Sequence, residues 1–172
     1  MRSYDYRNNI GFLIKSAAKA FETAFDLQLR HRVGITVSQS RVIGTLVLVK
    51  NGMTQKEIAD RIGIEAPTIV PIIDKMEEQG MVERKPDPKD RRINLILLTS
   101  KSEGLWESIV ECALELEKIS CNKVLPEELE ITKNNILRIT QNLSDYLRLS
   151  QSESNVNKSQ IPVRKHLTYQ RK

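Results

Sequence analysis

Residues 54–99 read TQKEIADRIGIEAPTIVPIIDKMEEQGMVERKPDPKDRRINLILLT, and the punctuation of this stretch decides the fold. Thr54 followed three residues later by Glu57 is a capping box, in which each side chain satisfies a backbone N–H at the start of a helix. The helix it opens is short, with Ile58, Ala59 and Ile62 on its buried side, and Gly63 supplies the left-handed residue that ends it. Pro67 sits where a second helix begins, Ile69, Ile72, Ile73 and Met76 share one face, and Gly80 closes it. Two short helices joined by a glycine turn predict a helix-turn-helix. The segment Met81-Val82-Glu83-Arg84-Lys85, the stiff tip Pro86-Asp87-Pro88-Lys89-Asp90-Arg91-Arg92 and the run from Ile93 to Leu98 predict a β-hairpin that projects as a wing.

Outward from this module the periodicity is helical. Over residues 6–29, Ile10, Ile14, Ala17, Phe21, Ala24 and Gln28 recur at alternating spacings of four and three, one stripe of a long helix. Thr36 and Gln39 form another capping box, opening a helix through Val42, Ile43, Leu46 and Val47 that Asn51-Gly52 would stop. After the hairpin, Thr99 is placed to cap a helix running to about residue 123, with Leu105, Trp106, Ile109, Ala113, Leu116 and Ile119 as its apolar side. Pro126 then stands near the start of a last helix in which Leu129, Ile136 and Leu143 repeat at seven, with Ile139 and Tyr146 between them. These two terminal stripes hold more apolar surface than one small winged module covers, which predicts a homodimer. The fold class expected is mainly α with a small β-hairpin wing: dimerisation helices in 1–35 and 99–149, the winged module in 36–98, and a polar basic tail in 150–172 with little fixed structure.

The formal net charge of +5 is unevenly spread. Residues 1–149 hold 22 Lys and Arg against 21 Asp and Glu, whereas the last 23 residues hold five basic residues against Glu153 alone. Net charge alone therefore does not mark a DNA-binding surface in residues 1–149; the positions of individual charges do. On a helical wheel the second short helix presents Thr68, Val70, Pro71 and Lys75 away from its apolar face. Thr and apolar groups meet thymine methyls and Lys donates to guanine acceptors, so these are the candidate base readers. Arg41, Lys56, Arg61, Arg84 and Lys85 flank that helix as candidate phosphate contacts, and Lys89, Asp90, Arg91 and Arg92 form the wing tip.

The stretch 54–99 resembles the MarR family of winged helix-turn-helix transcription regulators. The resemblance rests on Ile64-Glu65-Ala66-Pro67-Thr68, the SlyA-like opening of the recognition helix, and on Asp90-Arg91-Arg92 followed by alternating apolar residues and Leu98-Thr99. It implies a dimer whose terminal helices interlock, recognition helices in successive major grooves of a palindrome, repression of transcription, and release by small aromatic ligands. Phe12, Phe21, Phe25 and Trp106 are the candidate lining of such an effector pocket, or simply core. The chain departs from the family at Pro71, where a basic residue is common, at the carboxylates Asp74, Glu77 and Glu78, and at Ser102, where glycine is usual. Beside Arg92, Asp90 is expected to orient the guanidinium.

Other classes have less to rest on. The sequence has no phosphate-binding glycine loop, nucleophile elbow or paired-His motif, so no enzyme and no cofactor are expected. Cys112 and Cys121 lie about 13 Å apart along one predicted helix and read as structural thiols, and with His31 and His166 they make no metal-ligand spacing. No apolar run approaches the roughly 20 residues of a membrane span, and the N-terminus MRSYDYRNN has no signal-peptide layout, so a cytoplasmic protein without membrane contact is expected. A winged helix serving only as a protein-interaction module is the alternative function.

Overall fold

A computed structural model describes residues 5–49 and 51–159, with only the backbone given for 151–159. A 3-10 turn at Tyr6–Asn8 leads into α1 (Ile10–Arg32), α2 (Val37–Leu46), α3 (Gln55–Ile62) and α4 (Ala66–Glu78). Strands β1 (Val82–Pro86) and β2 (Asn94–Leu98) follow, then α5 (Ser100–Glu103), α6 (Trp106–Ser120) and α7 (Pro126–Ser159). The chain divides into two compact units, Met1–Asn122 and Lys123–Lys172.

The first unit is built around one apolar cluster. Leu29 from α1, Ile43 from α2, Ile58 from α3, Ile69, Ile73 and Met76 from α4, Ile96 from β2 and Cys112 from α6 are each fully or almost fully buried in it. Both capping boxes form as the sequence predicts: the Thr36 hydroxyl accepts from the Gln39 N–H while the Gln39 side chain accepts from Thr36, and Thr54 and Glu57 repeat the exchange. Asp26 adds a link between helices, because its carboxylate accepts the Val37 N–H at the start of α2 (2.8 Å) and Arg30 Nε (2.6 Å). None of the α1 stripe is fully buried: Ile10 is 58% and Phe21 43% exposed, Ile14, Ala24 and Gln28 are half-buried, and Leu29 is the helix's one buried residue.

Three local expectations are corrected. Helix α2 ends at Leu46, before Asn51-Gly52, and Gly52 does something else. Its φ is +74°, and a Cβ there would lie 2.7 Å from the Ile96 carbonyl oxygen, so only glycine lets the chain pass this close to β2. The passage is fastened by the paired bonds between Met53 and Ile96 (3.1 and 2.7 Å). Thr99 makes no side-chain cap; its hydroxyl instead donates to the carbonyls of Gly80 (2.8 Å) and Met81 (3.2 Å), tying the end of the hairpin to the end of α4. The single helix expected over residues 99–123 is broken at Gly104–Leu105 into α5 and α6, and Ile119, expected on its apolar side, is 58% exposed. Ser102 is fully buried and its hydroxyl donates to the Met81 carbonyl (2.6 Å), a bond glycine cannot make.

The second unit is one helix. Pro126 occupies its first turn, as expected, and Ile136, Leu143 and Tyr146 are 46%, 57% and 66% exposed. Helix α7 continues past Ser150 to Ser159, so the first part of the expected unstructured tail is helical. The rest of the tail, with Arg164, Lys165, Arg171 and Lys172, lies outside the described residues.

Candidate nucleic-acid interface

Helices α3 and α4 meet through the three residues Gly63, Ile64 and Glu65, with Gly63 at φ +73°. The left-handed residue reverses the chain at no steric cost, and Ile58, Ile69, Ile73 and Met76 then bury together. Helix α4 is thereby held by one side only. Its other side carries Thr68, Val70, Pro71 and Lys75, all four exposed, as the helical wheel predicts. Pro71 lies inside the helix, which runs through it without interruption.

Sequence-distant groups join this face. Asp26, Arg30 and Ser38 line a cleft of about 300 Å³ together with Pro71 and Lys75, bringing α1 and the start of α2 beside α4. Nothing in the local sequence of α1 marks Arg30 for this position. Gln39 Nε2 also donates to Gln79 Oε1 (2.7 Å), so the capping residue of α2 holds the end of α4.

The wing is an antiparallel hairpin in the register Val82↔Leu98, Arg84↔Ile96 and Pro86↔Asn94. Two aspartates fold its tip: Asp87 Oδ1 accepts the Lys89 N–H (2.7 Å), and Asp90 Oδ1 accepts the Arg92 N–H (3.0 Å). The Asp87 N–H donates to the Ile93 carbonyl (2.9 Å) and the Ile93 N–H to the Asp90 carbonyl (3.0 Å), closing the loop. Asp90 therefore acts on the backbone of Arg92, correcting the expectation that it orients the guanidinium. Lys89, Arg91 and Arg92 are all exposed, and none of them is ion-paired to a carboxylate among the described residues.

The candidate phosphate contacts divide. Lys56 and Arg61 are exposed on α3. Arg41 pairs with Glu22 of α1 (2.9 Å), and Lys85 pairs with Glu83 on its own strand. Arg84 is engaged on both sides, with Asp74 and Glu77 of α4. Burial works against its charge, but the hydrogen bonds to the two carboxylates outweigh that cost and hold the guanidinium more firmly protonated than an ordinary arginine.

The four candidate effector residues make different ring contacts. Phe21 and Phe25 are neighbours (ring centroids 6.4 Å apart), whereas Phe12 makes an edge contact with Tyr6 (5.6 Å). Trp106 packs on the core beneath Gly44, where a Cβ would lie 3.0 Å from the indole.

The sequence matches the model of the MarR family over residues 33–93. The uncharacterized HTH-type transcriptional regulator YwoH of Bacillus subtilis (strain 168) is 39% identical over 66 residues, 38% of this chain and 47% of that protein, so the match spans about half of its length. Among solved structures, the S. aureus MepR–DNA complex superposes with a TM-score of 0.69 at 23% identity, over 81% of this chain and 99% of that one. The transcriptional regulator SlyA superposes with a TM-score of 0.70 at 20% identity, over 83% and 99% of the two chains. At those identities the structures speak for the fold, and the family model speaks for the module within it. Residues 33–93 are thus similar to the MarR family, and the fold around them is the one these solved regulators share.

Proposed function

We propose that this protein is a sequence-specific DNA-binding repressor of transcription that acts in the cytoplasm as a homodimer on a pseudo-palindromic operator. The observation that carries the reading is the wing tip, where Lys89, Arg91 and Arg92 stand exposed on a loop folded by two aspartates, beside a helix whose outer face is exposed along its length. Exposed cations on a preorganised loop meet phosphates or a narrow minor groove with little ordering cost. Thr68, Val70 and Lys75 then read base edges in the major groove, while Lys56 and Arg61 contact phosphates. Arg30 and Ser38 flank the same face. A two-fold dimer presents two such modules, which sets half-sites about 10 base pairs apart or a multiple of that.

Release by a small aromatic ligand belongs to the same reading, with Phe21, Phe25 and Trp106 as its candidate contacts around α1, α2 and α6. Complexes of proteins of similar fold, S. aureus MepR with DNA and Rhodococcus jostii CouR with p-coumaroyl-CoA, support a reading in which this chain binds both kinds of partner. The test is recovery of genomic fragments by the purified protein, followed by titration of the enriched fragment and of an unrelated duplex against salt. Selective, salt-sensitive retention is the expected outcome. Retention of neither duplex would favour a protein-interaction module instead.

A further inference from the structure

The recognition helix carries an electrostatic problem. Asp74 and Glu77 stand one turn apart on α4, on the flank between its reading face and the wing, and carboxylates there repel DNA phosphates. The structure answers it with a single side chain. Arg84 reaches from β1 to both: Nη2 meets Asp74 Oδ1 and Nη1 meets Glu77 Oε2. The Arg84 side chain is only 22% exposed, against 52% for Asp74 and 40% for Glu77. The pairs are charge-assisted hydrogen bonds from the two ends of one planar fork, the geometry that arginine offers and lysine does not.

We infer that Arg84 is a positioning residue for DNA binding, fastening the wing strand to the recognition helix and neutralising its Asp74 and Glu77 carboxylates, rather than a phosphate contact. The inference rests on the DNA-binding reading above. Both terminal nitrogens are already engaged with carboxylates, so a phosphate would have to displace an existing partner. The same clamp sets the distance between the two DNA-facing elements, since β1 carries the wing and α4 the reading face.

A double-mutant cycle separates the two roles. The genomic fragment recovered by the wild type is titrated with Arg84→Ala in the native background and in a background carrying Asp74→Asn and Glu77→Gln. All variants are first checked for folding by circular dichroism and thermal melting. As a clamp, Arg84→Ala weakens binding by about tenfold or more in the native background, where it unmasks two like charges, and by less than about threefold in the neutral one. Arg84→Lys, with one ammonium for two carboxylates, falls between wild type and Arg84→Ala. Equal losses in both backgrounds would show that Arg84 touches DNA itself and overturn the inference while leaving the functional reading intact. A folded wild type that retains no DNA would overturn the functional reading, and the inference with it.

Discussion

At Asp90 the sign of a substitution separates geometry from charge. A carboxylate beside DNA is repelled, so a purely electrostatic wing predicts tighter binding when Asp90 is removed. The bond from the Arg92 N–H to Asp90 Oδ1 predicts the reverse, because without it the tip loses one of its two side-chain locks. Asp90→Ala is expected to weaken binding, Asp90→Asn to keep it, since the amide oxygen accepts the same bond, and Arg92→Ala to cost about 1–3 kcal/mol. Fluorescence anisotropy with one operator fragment at fixed salt measures all three. Asp90→Ala binding more tightly than wild type would rule out the folding role.

The helices depend on their ends, and two of those ends are acid-sensitive. The Thr54 backbone bond and then its hydroxyl lower the pKa of Glu57, while Arg30 and then the Val37 N–H lower that of Asp26. A carboxylate whose folded pKa lies below its unfolded value stabilises the fold when ionised; that contribution is present above the unfolded pKa and is lost as pH falls through the folded one. Between about pH 7 and about pH 3, the melting temperature of the wild type is therefore expected to fall further than that of an Asp26→Asn, Glu57→Gln variant. Equal falls would place the acid sensitivity elsewhere. Helix α4 offers a second test. Pro71 removes an interior N–H from an exposed helical position, so Pro71→Ala is expected to stabilise the protein by roughly 1–3 kcal/mol in chemical denaturation. Because Pro71 belongs to the proposed reading face, the same change is expected to alter operator preference.

For the molecule as a whole, the apolar residues left uncovered on α1 and α7 are the main unspent surface. Ile10, Phe21, Ile136 and Leu143 are each more than two-fifths exposed, and a second copy of the chain is the partner proposed for them. Sedimentation at micromolar concentration is expected to give a dimer, and Ile136→Glu together with Leu143→Glu to shift it toward monomer and abolish tight operator binding. A monomeric wild type would remove the basis for a palindromic site. The basic residues at 160–172 are expected to add attraction without sequence information. Deleting them should weaken binding to operator and random DNA by similar factors and flatten the salt dependence, and unchanged slopes would assign the segment another role.

The winged module was legible in the sequence because its signals are local. A capping box needs residues three apart, a left-handed glycine needs only its own backbone, and the exposed face of α4 follows from a period of 3.6, so Thr54, Gly63, Thr68 and Lys75 stand where the chain order placed them. Local spacing also suggested contacts that the fold reassigned. Thr99 has the look of a cap, yet its hydroxyl finds the Gly80 and Met81 carbonyls nineteen and eighteen residues away, and Asp90 holds the backbone of Arg92 instead of its guanidinium. Arg84 and Arg30 show the limit most clearly. The sequence gives each a charge, but whether that charge meets carboxylates or stands beside the reading face depends on which helix packs against which strand, and only the tertiary structure decides that.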